Sequence, residues 1–544
     1  MLGFAAQPIE STPERAMQER IGLTTLAAAA IAALHPAPAR ATDWLQFGYD
    51  MAHSGFNSAE TGYPTVGGNT VPYHYQLPAG TDKIDGAPVY VGDVPTAAGT
   101  RNLLFGLSNN GTIIALDADS TTLSVIWSRK PTGISKPGQR GFGSPVVDPG
   151  LQYVYAYGFD GKVHKYHIGD GTEVVASGWP AVVTLKANVD KGAAGLSIAT
   201  AQNGSTYLYS VTDGFIGDAG DYQGHLTTID LATGVAKVFN SLCSNLTFLF
   251  VENGKTTQPN QTDCAAKQNG IWGRPGAVYD AGTDRVFIST GNGPFNAAVF
   301  SWGDSVLALS PDGGGSGNGN PVDSFTPTTF QNLKDTDADL GSGSIAIVPA
   351  PPGAGANYQH LGIQAGKDGC VRLLRLDDLS GQNAPAHTGG ELQAIDFRGV
   401  ATNCADGSDM PEIRAQPAVW VNPSDGAVWV YVASHGNGFA AYRVSVSAGV
   451  PALGEQWTQN DSDPTSPVVA NGVVYYLSGG KLRAYDAVTG VARVTGGAWT
   501  STSFSGPHWQ SPALVNGRLY LFDEANPSNL WVYQLDGAFK SGFE

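Results

Sequence analysis

Beyond Asp43 the chain carries short apolar runs rich in valine and tyrosine, as in NGVVYYL at 471–477, and helical periodicity is nearly absent. Such runs are strand-like, and the Asn-Gly, Asp-Gly and Thr-Gly pairs between them supply the positive-φ positions of tight hairpins. The runs belong to a phrase that returns about every 50 residues, a spacing typical of solenoids and propellers. It reads small-Pro-apolar, then a stretch rich in tyrosine and valine, then Gly-x-apolar-x-Ala-Leu/Tyr-Asp, often closed by Thr-Gly. Clear copies are GAPVYV from Gly86 leading to GTIIALDAD at Gly111, and SPVVANGVVYYLSGGKLRAYDAVTG from Ser466 to Gly490.

Eight copies are present, centred on 86–127, 143–171, 195–234, 272–313, 340–381, 416–457, 466–490 and 511–537. Each reads as one small antiparallel sheet. A single such sheet cannot bury both faces, so copies must stack, and a closed ring leaves only short protected edges. The expectation is an all-β chain, an eight-bladed β-propeller of four-stranded antiparallel blades, filling residues 42–544 as one domain. The segment DWLQFGYDMAHSG, Asp43 to Gly55, precedes the first copy and is expected to lend a strand to the last blade, closing the ring.

The start of the chain reads differently. Ile21 to Ala41 combines a short apolar core, broken at His35 and Pro36, with a small-x-small site at Ala39 and Ala41. That is the pattern of a secretory signal over 1–41 and too short for a transmembrane segment. Its charged leading part fits best with translation starting at Met17, and the mature chain is expected to begin at Thr42. Four cysteines agree with a periplasmic or secreted protein. Cys243 and Cys264 flank one polar insertion and Cys370 and Cys404 another, so two local disulfides are the natural pairing of the three that four cysteines allow. Metal binding by these thiols lacks the usual Cys-x-x-Cys spacing. With Lys+Arg 30 against Asp+Glu 47, a formal net charge of −17 and no basic cluster, nucleic acid is an unsuitable partner. No Cys-x-x-Cys-His occurs, so no covalent haem is expected.

The stretch least like structural filler is GIWGRPGAVYDAGTDRVFISTGNGPFNAAVFSWGD, from Gly270 to Asp304. Its Trp-Gly, TGN, following Asn and Gly-Asp, with the ALDA and TG repeat phrase, resemble the quinoprotein alcohol dehydrogenases, eight-bladed propellers that bind pyrroloquinoline quinone (PQQ) and Ca2+ (calcium). The resemblance implies that Trp272 forms the floor under the quinone, that Asn296 is a calcium ligand with Asn292 as its alternative, and that a base stands in KDTDADLGSGS, at Asp337 or Asp339, with Asp335 less well placed. It further implies that Lys367 bonds the quinone oxygens. The family's glutamate ligand has no counterpart in VTDGFIGDAGDYQGHLTTID, where Asp218 or Asp221 offers a shorter carboxylate. The adjacent cysteine pair that caps the quinone in many members is absent.

Each of these residues also has a plainer reading. Trp272 can pack between blades, Asn292 with Gly293 is a turn signature, the aspartates form an acidic loop, and Lys367 before Asp-Gly can be a turn residue. The polar insertion GDAGDYQGH, with His225, is a candidate substrate loop in its own right. Two functions follow. One is an exported PQQ- and calcium-dependent dehydrogenase that oxidises an alcohol or sugar-like hydroxyl, on a small molecule or polymer, and passes electrons to a separate cytochrome or quinone. The other is a non-catalytic propeller that binds a protein, glycan or polymer through its loops.

Overall fold

A computed structural model of the chain describes residues 43–535 other than 63–71, 134–140, 142, 193, 216–217, 219, 247–263, 265, 382–384, 400–402, 407–410, 495–503 and 505–508. The signal-sequence reading of 1–41 lies outside the described residues. Eight four-stranded sheets follow one another along the chain, as the repeat count requires. Blade one runs from its innermost strand Val89–Thr96 through Gly99–Leu107 and Ile113–Asp117 to Val125–Arg129 at the rim, each strand antiparallel to the last. Blades two to six repeat this order, with innermost strands Val146–Val147, Ser197–Thr200, Val278–Asp280, Ala346–Pro349 and Ala418–Val421. Side chains on both faces of these strands are buried against the neighbouring blades. Tyr90, Leu104 and Ile114 of blade one join Val468 and Tyr475 of blade seven and Leu514 and Leu519 of blade eight in one continuous apolar cluster. Burial of each such aliphatic side chain contributes about 1.5–3 kcal/mol.

The ring closes differently from the sequence expectation. The outermost strand of blade eight is Tyr73–Gln76, antiparallel to Asn529–Gln534, so residues just ahead of blade one complete the last blade. The leading segment 43–57 instead passes along the inner strands. Trp44 exchanges two backbone bonds with Tyr90 (2.9 and 2.8 Å), and the carbonyls of Leu45, Met51, Ser54 and Gly55 accept the amides of Val147, Tyr279, Val419 and Val469 at 2.8, 3.3, 2.8 and 2.7 Å. The Gln46 side chain accepts the amide of Ile198 at 2.9 Å, and Asn57 Nδ2 donates to Leu514 O at 2.8 Å. These partners occupy the same position in the innermost strands of blades one to four and six to eight. Innermost strands have an unpaired edge facing the channel, and buried backbone groups need partners. The segment supplies them. In blade seven it does so as a two-residue strand, Phe56–Asn57, parallel to Val468–Ala470, the one parallel pairing among the described blade strands.

The glycine that closes the repeat phrase, in Asp170-Gly171 and in Thr489-Gly490, has a packing reason. Trp127, on the rim strand of blade one, lies against Gly171 of blade two, and Trp457 on that of blade six lies against Gly490 of blade seven. A Cβ at those glycines would come within 2.6 and 2.7 Å of the indoles, and both glycines have φ of +67°. The two indole Nε1 groups donate to Ile168 O and Ala487 O at 2.8 and 3.2 Å. Both expected disulfides form: Cys243–Cys264 with Cα atoms 6.0 Å apart, and Cys370–Cys404 with Cα atoms 5.0 Å apart.

Candidate functional site

In each blade the turn between the second and third strands, and the connection leading into the first strand, emerge at the same end of the ring. Trp272 and Arg274 stand on the connection into blade four, and Asn292 and Asp304 on its turn between Arg285–Ser289 and Val306–Leu309. Asp337 and Asp339 follow the short helix Phe330–Thr336 on the way into blade five, and Lys367 is on that blade's turn between His360–Ala365 and Cys370–Arg375. Asp218 comes from the corresponding turn of blade three. Three neighbouring blades therefore deliver these side chains to one end of the molecule.

Lys367 is the hub. Its Nζ is 2.6 Å from Asp339 Oδ2 and 3.1 Å from Asp337 Oδ2, and stands 5.4 Å from the centre of the Trp272 ring. Burial works against its charge, but the two carboxylates outweigh it and hold the ammonium above the usual lysine range. Asp339 is buried, and burial pushes its carboxyl up to about 6 although Lys367 pulls the other way. Its Oδ1 accepts the amide of Asn292 at 2.5 Å. The glycine of TGN is explained here, since a Cβ on Gly291 would sit 2.5 Å from that same oxygen. Asn292 Nδ2 reaches Asp337 Oδ1 at 2.9 Å and Asp218 Oδ2 at 3.4 Å.

The supporting groups are rigid. Lys367 N donates to Asp339 O at 3.0 Å. The next residue, Asp368, is buried in an ion pair with Arg372, and Cys370 is anchored to Cys404. Behind Asp339 lies Asp304, fully buried, whose Oδ1 accepts the amide of Leu340 at 3.1 Å. Burial first, and the Asp339 charge second, raise its pKa well above the usual carboxylate value. Trp272 meets the edge of Trp509 with ring centres 6.0 Å apart. Arg274 bonds the carbonyls of Trp509 and Asp85 and is held down to about 9 by burial. With Arg414, His435, Asp463 and Ser466 it lines an adjoining cavity of about 130 Å3.

Trp272, Asn292, Asp337, Asp339, Lys367 and Asp218 thus come together. Asn296 does not join them: it is exposed and caps the turn Ala297–Val299, accepting the Ala298 amide at 3.1 Å. Asp221 faces Lys186, at 3.4 Å, and not Asn292. Asp335 is exposed and bonded by Gln331 on its own helix. His225 is buried in blade three, with Nε2 2.6 Å from Val183 O, and burial lowers its pKa to about 4, so it is a neutral packing group. Asp304, Arg274 and Trp509 were not singled out from sequence. Asp304 is the Gly-Asp of the quoted phrase, a pair that reads as an ordinary turn.

No protein-family model matches the chain, and no curated protein sequence matches it. Solved structures do. A quinohemoprotein alcohol dehydrogenase of Pseudomonas putida HK5 is 13% identical with a TM-score of 0.58, the match covering 92% of this chain and 81% of that one. A quinohemoprotein alcohol dehydrogenase from Comamonas testosteroni is 15% identical with a TM-score of 0.58, covering 92% and 81%. A europium-containing methanol dehydrogenase is 13% identical with a TM-score of 0.58, covering 91% and 98%. At such identities the likeness is one of fold: the chain has the eight-bladed architecture of the quinoprotein dehydrogenases.

Proposed function

We propose that this chain is an exported quinone-dependent dehydrogenase that oxidises an alcohol or sugar-like hydroxyl at the Lys367 end of the ring. The observation that carries the reading is the buried carboxyl of Asp339, tuned to about 6 and held by Lys367 and the Asn292 amide beside the half-buried Trp272 ring. The residues present fit PQQ. Trp272 offers an aromatic platform, Lys367 a donor to quinone oxygens, and Arg274 and Arg414 line the adjoining cavity, where carboxylates of the cofactor would meet positive charge. For calcium the protein offers oxygens of Asp218, Asn292 and Asp337. Among the described residues no group of three or more His, Cys, Asp or Glu is poised for a metal ion. Calcium takes 6–8 oxygens, so cofactor oxygens and water would complete its shell.

When bound, PQQ supplies a two-electron acceptor and calcium the Lewis acid that polarises it. Asp339 takes the proton of the substrate hydroxyl, which requires its ionised form and is favoured by a pKa near the working pH. Lys367 keeps the ionised carboxylate oriented and donates to the oxygen on which negative charge grows. Asn292 fixes the Asp339 carboxylate through its amide. Burial of Asp304 raises its pKa and so disfavours a second negative charge beneath the base. Electrons leave to a separate cytochrome or quinone. Export is supported by the two disulfides, and no described helix is long and apolar enough to cross a membrane.

The test is dye-linked oxidation of a panel of alcohols and sugars by the purified chain after incubation with PQQ and calcium. Turnover that needs both additions and disappears in Asp339→Asn is expected. Absence of turnover across the panel, or turnover indifferent to PQQ, contradicts the proposal.

A further inference from the structure

At the opposite end of the ring, blades two and three part to leave a cavity of about 490 Å3. It lies among the first hairpin of blade two with Asp148, Tyr153 and Tyr155 on the second strand, Lys165 on the third, and two turns of blade three carrying Thr206 and Asp230. None of these residues takes part in the Lys367 site. The volume falls within the roughly 300–1,000 Å3 of small-molecule sites.

Lys165 is the unusual group. Its amine is 4.0 Å from the centre of the Tyr153 ring, and 5.8 and 5.5 Å from those of Tyr155 and Trp179. Burial lowers its pKa, with Asp148 opposing, and no carboxylate among the described residues pairs with it as a salt bridge. Aromatic rings hold the ammonium where a carboxylate would be the usual partner. The carboxylates on the rim serve their own turns first. Asp148 accepts the amides of Gly150, Gln152 and Tyr153, and Asp230 Oδ1 accepts those of Ala232 and Thr233. Asp230 Oδ2 accepts no hydrogen bond from a described residue. The cavity thus pairs ammonium donors and a carboxylate acceptor with the partly exposed phenol ring of Tyr153.

We propose that this cavity binds a neutral, hydroxyl-rich ligand, a saccharide unit, with Lys165 and Asp230 bonding its hydroxyls and the Tyr153 ring covering its C–H face. A hydroxyl both donates and accepts, so it satisfies an ammonium and a carboxylate at once. An anion would meet two carboxylates against one ammonium, on a chain of formal net charge −17. The site stands independently of the quinone reading.

The experiment is a glycan array carrying neutral hexose oligosaccharides and their uronic-acid counterparts, probed with the full chain and with Lys165→Gln, Tyr153→Ala and Trp272→Ala. Expected is retention of neutral glycans by the wild type and by Trp272→Ala, weakened roughly tenfold or more in Lys165→Gln and in Tyr153→Ala. Lys165→Gln keeps most of the side-chain stem, so it decides the matter if Tyr153→Ala melts early. No retention, retention of acidic glycans only, retention undiminished in Lys165→Gln, or loss in Trp272→Ala would each overturn the proposal.

Discussion

Aspartate does opposite work at the two ends of this ring. At the far end, Asp230 and Asp486 start the Asp-x-x-Thr-Gly turns between third and fourth strands, and each accepts the amide and hydroxyl of the threonine three residues on. Asp486 is partly buried, yet those bonds and Arg493 hold its pKa below the usual carboxylate value. At the near end burial dominates. It pushes Asp339 up to about 6 and Asp190 up to about 7, and it raises Asp304 well above the usual carboxylate value. The fold repeats one sheet eight times, so the difference comes from the connections: tight turns saturate a carboxylate with amides, whereas the longer near-end loops bury it with few donors. A carboxylate saturated by its own turn is a poor base at neutral pH; a buried, sparsely bonded one is a candidate.

The largest expected break in this contrast is Asp339→Asn, which should lower kcat by about 10²–10⁴-fold. Asp486→Asn should leave kcat as it was. In the wild type kcat/KM should rise with pH through about 6 and then level, because the base works only when ionised. The sign for stability is the reverse. A raised carboxyl binds its proton more tightly folded than unfolded, so the contribution of Asp339 to stability should fall as pH climbs from its unfolded value to about 6.

Lys367→Met sharpens the contrast next. It removes the only cation bonded to Asp339 among the described residues, so the acid limb of the kcat/KM profile should move to higher pH, and denaturant unfolding should show a loss of about 3 kcal/mol. Gly490→Ala should cost about 1–3 kcal/mol through its left-handed backbone and the clash with Trp457, with the pH profile intact. The smallest effect belongs to Asp486→Ala: about 1 kcal/mol from lost turn bonds, read by the same denaturant midpoint, with no change in activity.

The blades were legible because their signals are local. Strand-like runs, Asn-Gly hairpins and the closing Thr-Gly each lie within one repeat. Trp272, Lys367 and the pair Asp337 and Asp339 were marked by the resemblance to the quinoprotein dehydrogenases, which left open which aspartate is the base. The closing strand Tyr73–Gln76 carries no repeat phrase, and its partner Asn529–Gln534 lies at the other end of the chain, so nothing local marks it. The leading segment was noticed but its role was not, since most of its bonds are made by backbone carbonyls that any residue would supply. Asn296 and Asn292 are four residues apart in one loop, and only the fold shows that the first caps a turn while the second faces Asp337. Asp304 became conspicuous only through its complete burial.

The most direct measurement is equilibrium titration of the purified chain with PQQ, with and without calcium, following tryptophan fluorescence in the wild type and in Trp272→Ala. Saturable quenching that calcium strengthens and Trp272→Ala abolishes is the predicted result. Quenching that persists undiminished in Trp272→Ala, or none at saturating cofactor, would contradict the assignment of the Lys367 end as a quinone site.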